Sequence, residues 1–454
     1  MIKEQIVNII NDNLKNPIYK TIQMIKLKTI LKESGFTKKQ GSPIHLVMLH
    51  FVYMLVMNKK ISTFTKQSDA SFKKDAYYDL LKNQNYNWRK LLNLTTKGFM
   101  KLIHKVQDPR SVKVLILDDT VESKVGKIIE GSRDKLWSNK EKRCIRGVNI
   151  VSLNYSDGLS SFMCDFAISM GKYAKVKLED FANKLDHRTV AYKRQQEIML
   201  GKAKLALQMI QRALKQGMYV DYLLVDSWYS KPVFIKKVED MGLSVISRIT
   251  NSNSIWNFIG EKKTLECIYQ KSKQTTDEKS GSYGKILFKY LSTIVEHKTA
   301  GKLKIVFIKI NKNNKLIPII STNLNLSDDE VIDIYKRRWD IEQGYKELRS
   351  HFGFGTEENR IYEALIARIT LSFLSYNIVS YINRISHEPK TIGGLFAELE
   401  CELTTLAIGM QAFIKILTKI ANIDQIINRN EDLAQIIELL GSMSQNILGF
   451  SSES

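Results

Sequence analysis

The sequence predicts an α/β protein, a mixed five-stranded sheet with flanking helices, interrupted by a β-rich insertion and bracketed by helical N- and C-terminal regions. Three observations predict it. Short β-branched and aliphatic runs, SVKVLILDDT from Ser111 and DYLLVDSWY from Asp221, read as strands buried on both faces. Around them, amphipathic stretches repeat at helical spacing and close on Gly217 and Gly242. From about Asn251 to Asn325 the texture changes to Ser, Thr, Lys and Gly alternating with runs such as KILFKYL, LKIVFIKI and KLIPIIST, the pattern of antiparallel hairpins.

Taken in order, residues 1–108 show helical periodicity broken at Gly35, at Gly41-Ser42-Pro43 and at the Asn83 to Asn87 cluster, with lysines (Lys38, Lys39, Lys59, Lys60, Lys66, Lys73, Lys74) gathered near the helix junctions. This suits a module that binds DNA ends, and a solvated surface accounts for the lysines about as well. Residues 109–249 form the first part of the sheet. Its strand from Val112 is followed by Gly147 to Tyr155 and Leu159 to Ser169, a hairpin turning at Ser156-Asp157-Gly158. A helix from about Arg188 to Gln216, the strand ending at Asp226, a helix from Lys231 to Met241 and the strand LSVISRI complete five strands. Residues 250–326 are the insertion and 327–385 return to the core. Residues 386–454 read as helical, with Ile414 to Leu440 suited to a core helix pair or to self-association.

Length and composition narrow the classes. At 454 residues, 44% hydrophobic, the chain can bury two to four cores. Lysine and arginine (69) exceed aspartate and glutamate (47) by 22, which favours a polyanionic partner. The four cysteines are far apart with no C-x-x-C pair, and the seven histidines lack ligand spacing, so neither a zinc site nor a disulfide framework is expected. No G-x-x-x-x-G-K-[ST] or G-x-G-x-x-G loop supports a nucleotide cofactor. The N-terminus lacks a signal-peptide core, and the most apolar runs, Ile44 to Met57 and Leu365 to Ile382, carry His45, His50, Arg368 and Asn377. Both read as buried helices, and a cytoplasmic protein with no membrane span is expected.

The most informative stretch is Ser327 to Gly355, SDDEVIDIYKRRWDIEQGYKELRSHFGFG, which reads as one helix of about seven turns. Ser327 with Glu330 makes a capping box, and Gly353 and Gly355 supply a left-handed stop. Tyr335, Arg338, Glu342, Lys346 and Arg349 share one polar face, beside an apolar face of Ile334, Ile341, Tyr345, Leu348 and Phe352. The polar face reads either as i,i+4 ion pairs or as a cation-flanked carboxylate aimed into a cleft. Acids also end two strands, Asp118-Asp119 and Asp226. Brought together with Glu342, they form an all-oxygen site suited to Mg²⁺ or Mn²⁺, with two ions able to drive an in-line phosphodiester displacement. Either aspartate of the first pair can serve.

These residues resemble the bacterial insertion-sequence transposases that carry an RNase H-like DDE core and a Y-x2-R-x3-E-x6-K signature. Tyr335, Arg338 and Glu342 match in register; the last position is Arg349 instead of lysine, and Lys346 lies one turn earlier on the same face. LILDDT and LLVDSWY resemble the family's two aspartate blocks, and a β-rich insertion before the glutamate helix is a family feature. The resemblance spans about Val112 to Gly355. It implies cut-and-paste transposition, with metal-dependent cleavage of inverted-repeat ends, a hairpin on the element end, hairpin opening and strand transfer into target DNA. It assigns Asp119, Asp226 and Glu342 to Mg²⁺ or Mn²⁺, Asp119 being preferred to Asp118 because a hydroxyl residue, Thr120, follows it. Tyr335, Arg338, Lys346 and Arg349 would grip phosphates, and a homodimer would hold two ends of double-stranded DNA. A stand-alone RNase H-like nuclease and a catalytically silent DNA-binding protein are the alternatives.

Overall fold

The computed structural model describes residues 16–404, apart from 39, 68–71, 125–128, 139–140, 171–184, 251–254, 311–314, 357–359, 387 and 389. The segment Ile414 to Leu440, read as a core helix pair or a self-association surface, lies outside these residues.

The chain opens with helices α1 (Pro17–Met24), α2 (Leu27–Glu33), α3 (Ile44–Val56), α4 (Ile61–Gln67), α5 (Lys74–Lys82) and α6 (Trp88–Ile103). Local chemistry starts several of them. Asn16 Oδ1 accepts from the Ile18 N–H with Pro17 at the first helical position, and Asn87 Oδ1 accepts from the Lys90 N–H, so donors that a helix start leaves unpaired are satisfied. Strands β1 (Val114–Ser123), β2 (Arg133–Ser138), β3 (Arg143–Ser156) and β4 (Ser161–Ile168) follow, then α7 (Val190–Glu197), α8 (Lys202–Lys215), β5 (Tyr222–Val225), α9 (Pro232–Glu239) and β6 (Ser244–Arg248). The insertion holds β7 (Ile255–Phe258), β8 (Glu261–Thr264), α10 (Leu265–Thr275), β9 (Lys279–Tyr283), β10 (Ile286–His297), β11 (Gly301–Ile310) and β12 (Lys315–Ser321). Helices α11 (Asp328–Lys336), α12 (Trp339–His351) and α13 (Tyr362–Ile385) come next, and 392–404 is again helical.

The five expected strands lie side by side in the order β4-β3-β1-β5-β6. β3 runs antiparallel to both β1 and β4, while β1, β5 and β6 are parallel, an RNase H-like mixed sheet flanked by helices. The Asp-Gly turn forms as expected: Gly158 takes φ +88°, and Asp157 Oδ1 accepts from the Leu159 and Ser160 N–H groups.

Several expectations are corrected. The acids Asp118 and Asp119 lie inside β1 instead of at its end, because antiparallel pairing with β3 continues through Ser123↔Gly147. The antiparallel hairpins expected of the insertion are present, but they do not stand alone: β12 pairs with β6 through Ile319↔Arg248 to Ser321↔Ile246, so among the described residues the core and insertion share one twelve-stranded sheet. The insertion also contains a helix, α10. The helix expected over Arg188 to Gln216 is two, since the Met170 N–H takes the Ile198 carbonyl and Gly201 is extended at the start of α8. Ser327 to Gly355 is likewise two helices. At the junction, Arg337, Arg338 and Asp340 donate to carbonyls three residues back, a 3₁₀-type tightening. The surroundings hold that joint in place: the Arg337 guanidinium donates to the Val112 carbonyl, and Asp340 accepts from Ser156 Oγ in the β3–β4 turn. The capping box and the positive φ of Gly353 and Gly355 are present as read.

Helix α13 is long and apolar enough to cross a membrane by length and composition, but 94% of its most apolar window is buried within the protein. It is the core helix on which the N-terminal helices and β4 meet. Asn377 on α13 accepts from the Met163 N–H and donates to the Met163 carbonyl, and Thr96 and Asn93 on α6 donate to the Met163 and Cys164 carbonyls. These side chains satisfy the edge of β4, which would otherwise expose unpaired backbone groups.

Glu363, in the first turn of α13, is buried, and burial followed by the neighbouring Glu130 pushes its carboxyl up to about 7 from an ordinary 4.5. Folding therefore favours the protonated acid. The stability this lends is full below pH 4.5 and is lost as pH rises through about 7. Glu363→Gln, neutral throughout, should gain stability relative to the parent as pH climbs through that window. Urea midpoints on either side measure this, and a pH-independent difference would refute it.

Candidate active site

The site grows from the way β1 is paired. Its parallel partner β5 stops at the pair Leu117↔Val225, so Asp226 emerges where the ladder ends, directly beside Asp118. Beyond that point β1 continues with β3 alone and its other edge is open. Successive strand residues face opposite sides of a sheet, so Asp118 and Asp119 point apart. Asp118 shares its face with Thr120 and Glu122, and this is the face covered by α12. There the Tyr345 hydroxyl donates to the Asp118 carbonyl, and Arg349 donates to Thr120 Oγ1 and to Glu122 Oε1. Asp119 faces the other way, toward α8. Lys202 Nζ (2.7 Å) and Asn149 Nδ2 (2.9 Å) donate to its Oδ2, and the Tyr229 hydroxyl donates to its Oδ1 at 3.3 Å.

Glu342, on α12, pairs with Arg338 one turn before it, and Arg338 also lies 3.7 Å from Asp118. Arg338 thus bridges the acids of β1 and α12. Burial raises the Asp118 carboxyl to about 7, with the Asp226 and Asp119 carboxylates adding to the shift and Arg338 opposing it. Burial also raises Asp226, although its Oδ1 accepts from the Trp228 N–H at 3.0 Å. Tyr335 is pushed up to about 12, again chiefly by burial, and so stays a neutral donor.

All seven residues singled out in the sequence, Asp119, Asp226, Glu342, Tyr335, Arg338, Lys346 and Arg349, line one cleft of about 960 Å³, together with Asp118. Its floor is acidic and one side carries the cations of α12. The opposite side is apolar and comes from the insertion, with Phe288, Ile308 and Ile317 among its residues. Sequence reading missed Arg248, which also lines the cleft. Its signal was present: it ends β6 one residue past the Val225↔Ser247 pair, level with Asp226. Lys202, which holds Asp119, gave no local signal.

Asp118, Asp226 and Glu342 offer only carboxylate oxygens, the donor type that Mg²⁺ and Mn²⁺ prefer, so the residues fit such an ion. Among the described residues no three of His, Cys, Asp and Glu already stand in ligand geometry, and Glu342 is turned to Arg338.

With this fold and these acids, the family matches are specific. A model described as DDE superfamily endonuclease matches residues 54–262, covering Asp118, Asp119 and Asp226. A second, described as Transposase DDE domain, matches residues 200–378, covering Asp226 and Glu342. The two overlap around Asp226, the acid between the other two in sequence, and together they support a DDE transposase or endonuclease. Comparison with curated proteins gives no match.

The Arg349 guanidinium is tied to Glu122, whose side chain is only 9% exposed. Arg349→Ala should cost about 1–3 kcal/mol of stability by leaving part of that carboxylate's hydrogen bonding unmet. The denaturant midpoint reports this, and an unchanged midpoint would mean that the pair is not structural.

Proposed function

We propose that this protein is a cut-and-paste transposase that binds the inverted-repeat ends of an insertion sequence, cuts them and joins the freed 3′ ends to target DNA. One observation carries the reading: carboxylates from three separate elements meet in a single cleft whose side is a row of cations. A binding module needs the cations and has no use for the buried acids, whose confinement is costly unless a cation or substrate compensates it.

In this reading the reacting acids are Asp118, Asp226 and Glu342. Asp118 takes the place that the sequence assigned to Asp119, because it shares a face with Glu342, whereas Asp119 is occupied by Lys202 and Asn149 on the other side of the sheet. Asp119 then serves as a positioning residue, anchoring the start of α8 to β1. A bound Mg²⁺ or Mn²⁺ pair would supply activation of the attacking water or 3′-hydroxyl and stabilisation of the leaving oxygen. Arg338, released from Glu342, and Lys346 at the exposed rim grip the phosphates flanking the scissile bond, and the Tyr335 hydroxyl donates to the same backbone. Arg349 braces the face from behind through Glu122. Hairpin formation on the element end and pairing of two ends by two chains complete the scheme. The surroundings of such an enzyme are those of chromosomal DNA in the cytoplasm.

Substitution separates the acids. Asp118→Asn, Asp226→Asn and Glu342→Gln should each abolish Mg²⁺-dependent cleavage of end DNA while binding persists, and Asp119→Asn should retain cleavage with lowered thermal stability. Full cleavage by Asp118→Asn alongside none by Asp119→Asn would restore the opposite assignment. Binding without cleavage by the parent chain would mark a silent binder, and cleavage without strand transfer a nuclease. Lys346→Ala should reduce the slope of log affinity against log salt by about one, as expected for one lost phosphate contact. An unchanged slope would place that lysine outside the interface.

A further inference from the structure

Asp118, Asp226 and Glu342 bring three acids into one cleft, and one cation already stands among them. The backbone engages half of each aspartate: Asp118 Oδ1 accepts from the Asp119 N–H at 2.8 Å, and Asp226 Oδ1 accepts from the Trp228 N–H at 3.0 Å. Only Oδ2 of each is left for a ligand. It is Asp118 Oδ2 that Arg338 approaches, at 3.7 Å, while the other arm of the same guanidinium donates to Glu342 Oε1. Arg338, its side chain 18% exposed, is thus lodged between the oxygens that an ion bridging β1 and α12 would need. The backbone beneath it is fixed, because Arg338 sits at the α11–α12 joint that Val112 and Ser156 fasten through Arg337 and Asp340. Only the side chain is free to leave. A guanidinium and a divalent ion cannot share two carboxylates, since like charges repel at that spacing and Mg²⁺ requires oxygen ligands at about 2.0–2.1 Å.

We propose that Arg338 gates the acids: without DNA it neutralises Asp118 and Glu342 and keeps a divalent ion out, and a DNA phosphate draws it off, so that ion and DNA bind cooperatively. The gate rests on the DNA-processing reading above. A phosphate compensates Arg338 for the loss of Glu342, and the freed carboxylates then favour an ion. Conversely, an ion expels the guanidinium, which then needs an anion. Each ligand lowers the cost of the other, and linkage makes the factor equal in both directions. Away from DNA the acids are occupied by the chain's own arginine, so no loaded centre meets stray phosphodiesters. Lys346 supplies the comparison, since it lines the same cleft exposed to solvent and, among the described residues, in no ion pair.

The test measures Mn²⁺ binding to the full chain from the spin-resonance signal of the free ion, at low salt, with and without a saturating blunt DNA duplex. In the parent chain the duplex should tighten Mn²⁺ binding by roughly ten-fold, and Mn²⁺ should tighten the duplex by the same factor in fluorescence anisotropy. Arg338→Met keeps the length of the side chain and removes its charge. It should bind Mn²⁺ about ten-fold more tightly than the parent when DNA is absent, with little further gain from the duplex. Arg338→Lys should fall between the two, because an ammonium pairs with one carboxylate where the guanidinium spans two. Lys346→Met removes the same charge from the same cleft and should keep the coupling. Equal gains from Arg338→Met and Lys346→Met, no gain from Arg338→Met, or a parent chain that binds duplex and Mn²⁺ independently would overturn the gate while leaving the DNA-processing reading intact. A parent chain that binds neither would overturn both.

Discussion

Everything at the site depends on unequal pairing along the two edges of β1. One edge stays paired with β3 to Ser123, while the other loses β5 after Leu117. A strand held on both sides is a wall, and a strand held on one side is a ledge. The acids sit where wall becomes ledge, so Asp118 and Asp226 are adjacent yet open to whatever lies beyond the end of β5. The period-two geometry of a strand then sorts the two neighbouring aspartates. One is delivered to the glutamate helix and the other to a lysine, with no change of backbone.

That sorting shows how far the sequence could be read. The two central strands, the order of elements, the capping box, the left-handed stop and the Asp-Gly turn are local signals, each carried by a few adjacent residues, and the structure contains them. Ile334, Ile341, Tyr345, Leu348 and Phe352 are all buried, as their helical spacing required. The misread features depended on partners distant in sequence. β1 outruns its apolar run because β3 supplies hydrogen bonds that the run VES does not advertise. The break at Arg337 and Arg338 has no weak helix former to mark it; Val112 and Ser156 fasten the joint from elsewhere in the chain. Helix α10 is different, since Thr264 caps it and Leu265, Ile268, Tyr269 and Ser272 repeat at helical spacing inside a region otherwise rich in strands. Gly201 likewise marked the split between α7 and α8.

The same long-range logic bears on how the chain divides. A composition change near residue 108 suggests an independent helical region, yet α6 reaches β4 through Asn93 and Thr96, and α13 reaches both through Asn377. A single strand edge is sealed by helices from opposite ends of the described chain. The sheet that carries Asp118 is therefore built against a support that is complete only when both flanks are in place, which ties the placement of the acids to the folding of residues far from them.

The sheet that joins core and insertion also acts as a ruler. From β1 through β5, β6, β12 and β11 to β10 there are five strand steps, a path of about 24 Å along the twisted sheet at roughly 4.8 Å a step. The spacing belongs to the hydrogen-bond ladder and owes nothing to the side chains that line it. Adding or removing a hairpin beyond β6 would change that reach in whole strand units, and it would also unseat α11, whose start is held by Lys304 on β11, paired with Asp328, and by the Tyr290 hydroxyl on β10, which donates to Asp329. Reach and the placement of the glutamate are thus coupled in this architecture: the strands that set how far the cleft extends also seat the helix that leads into Glu342.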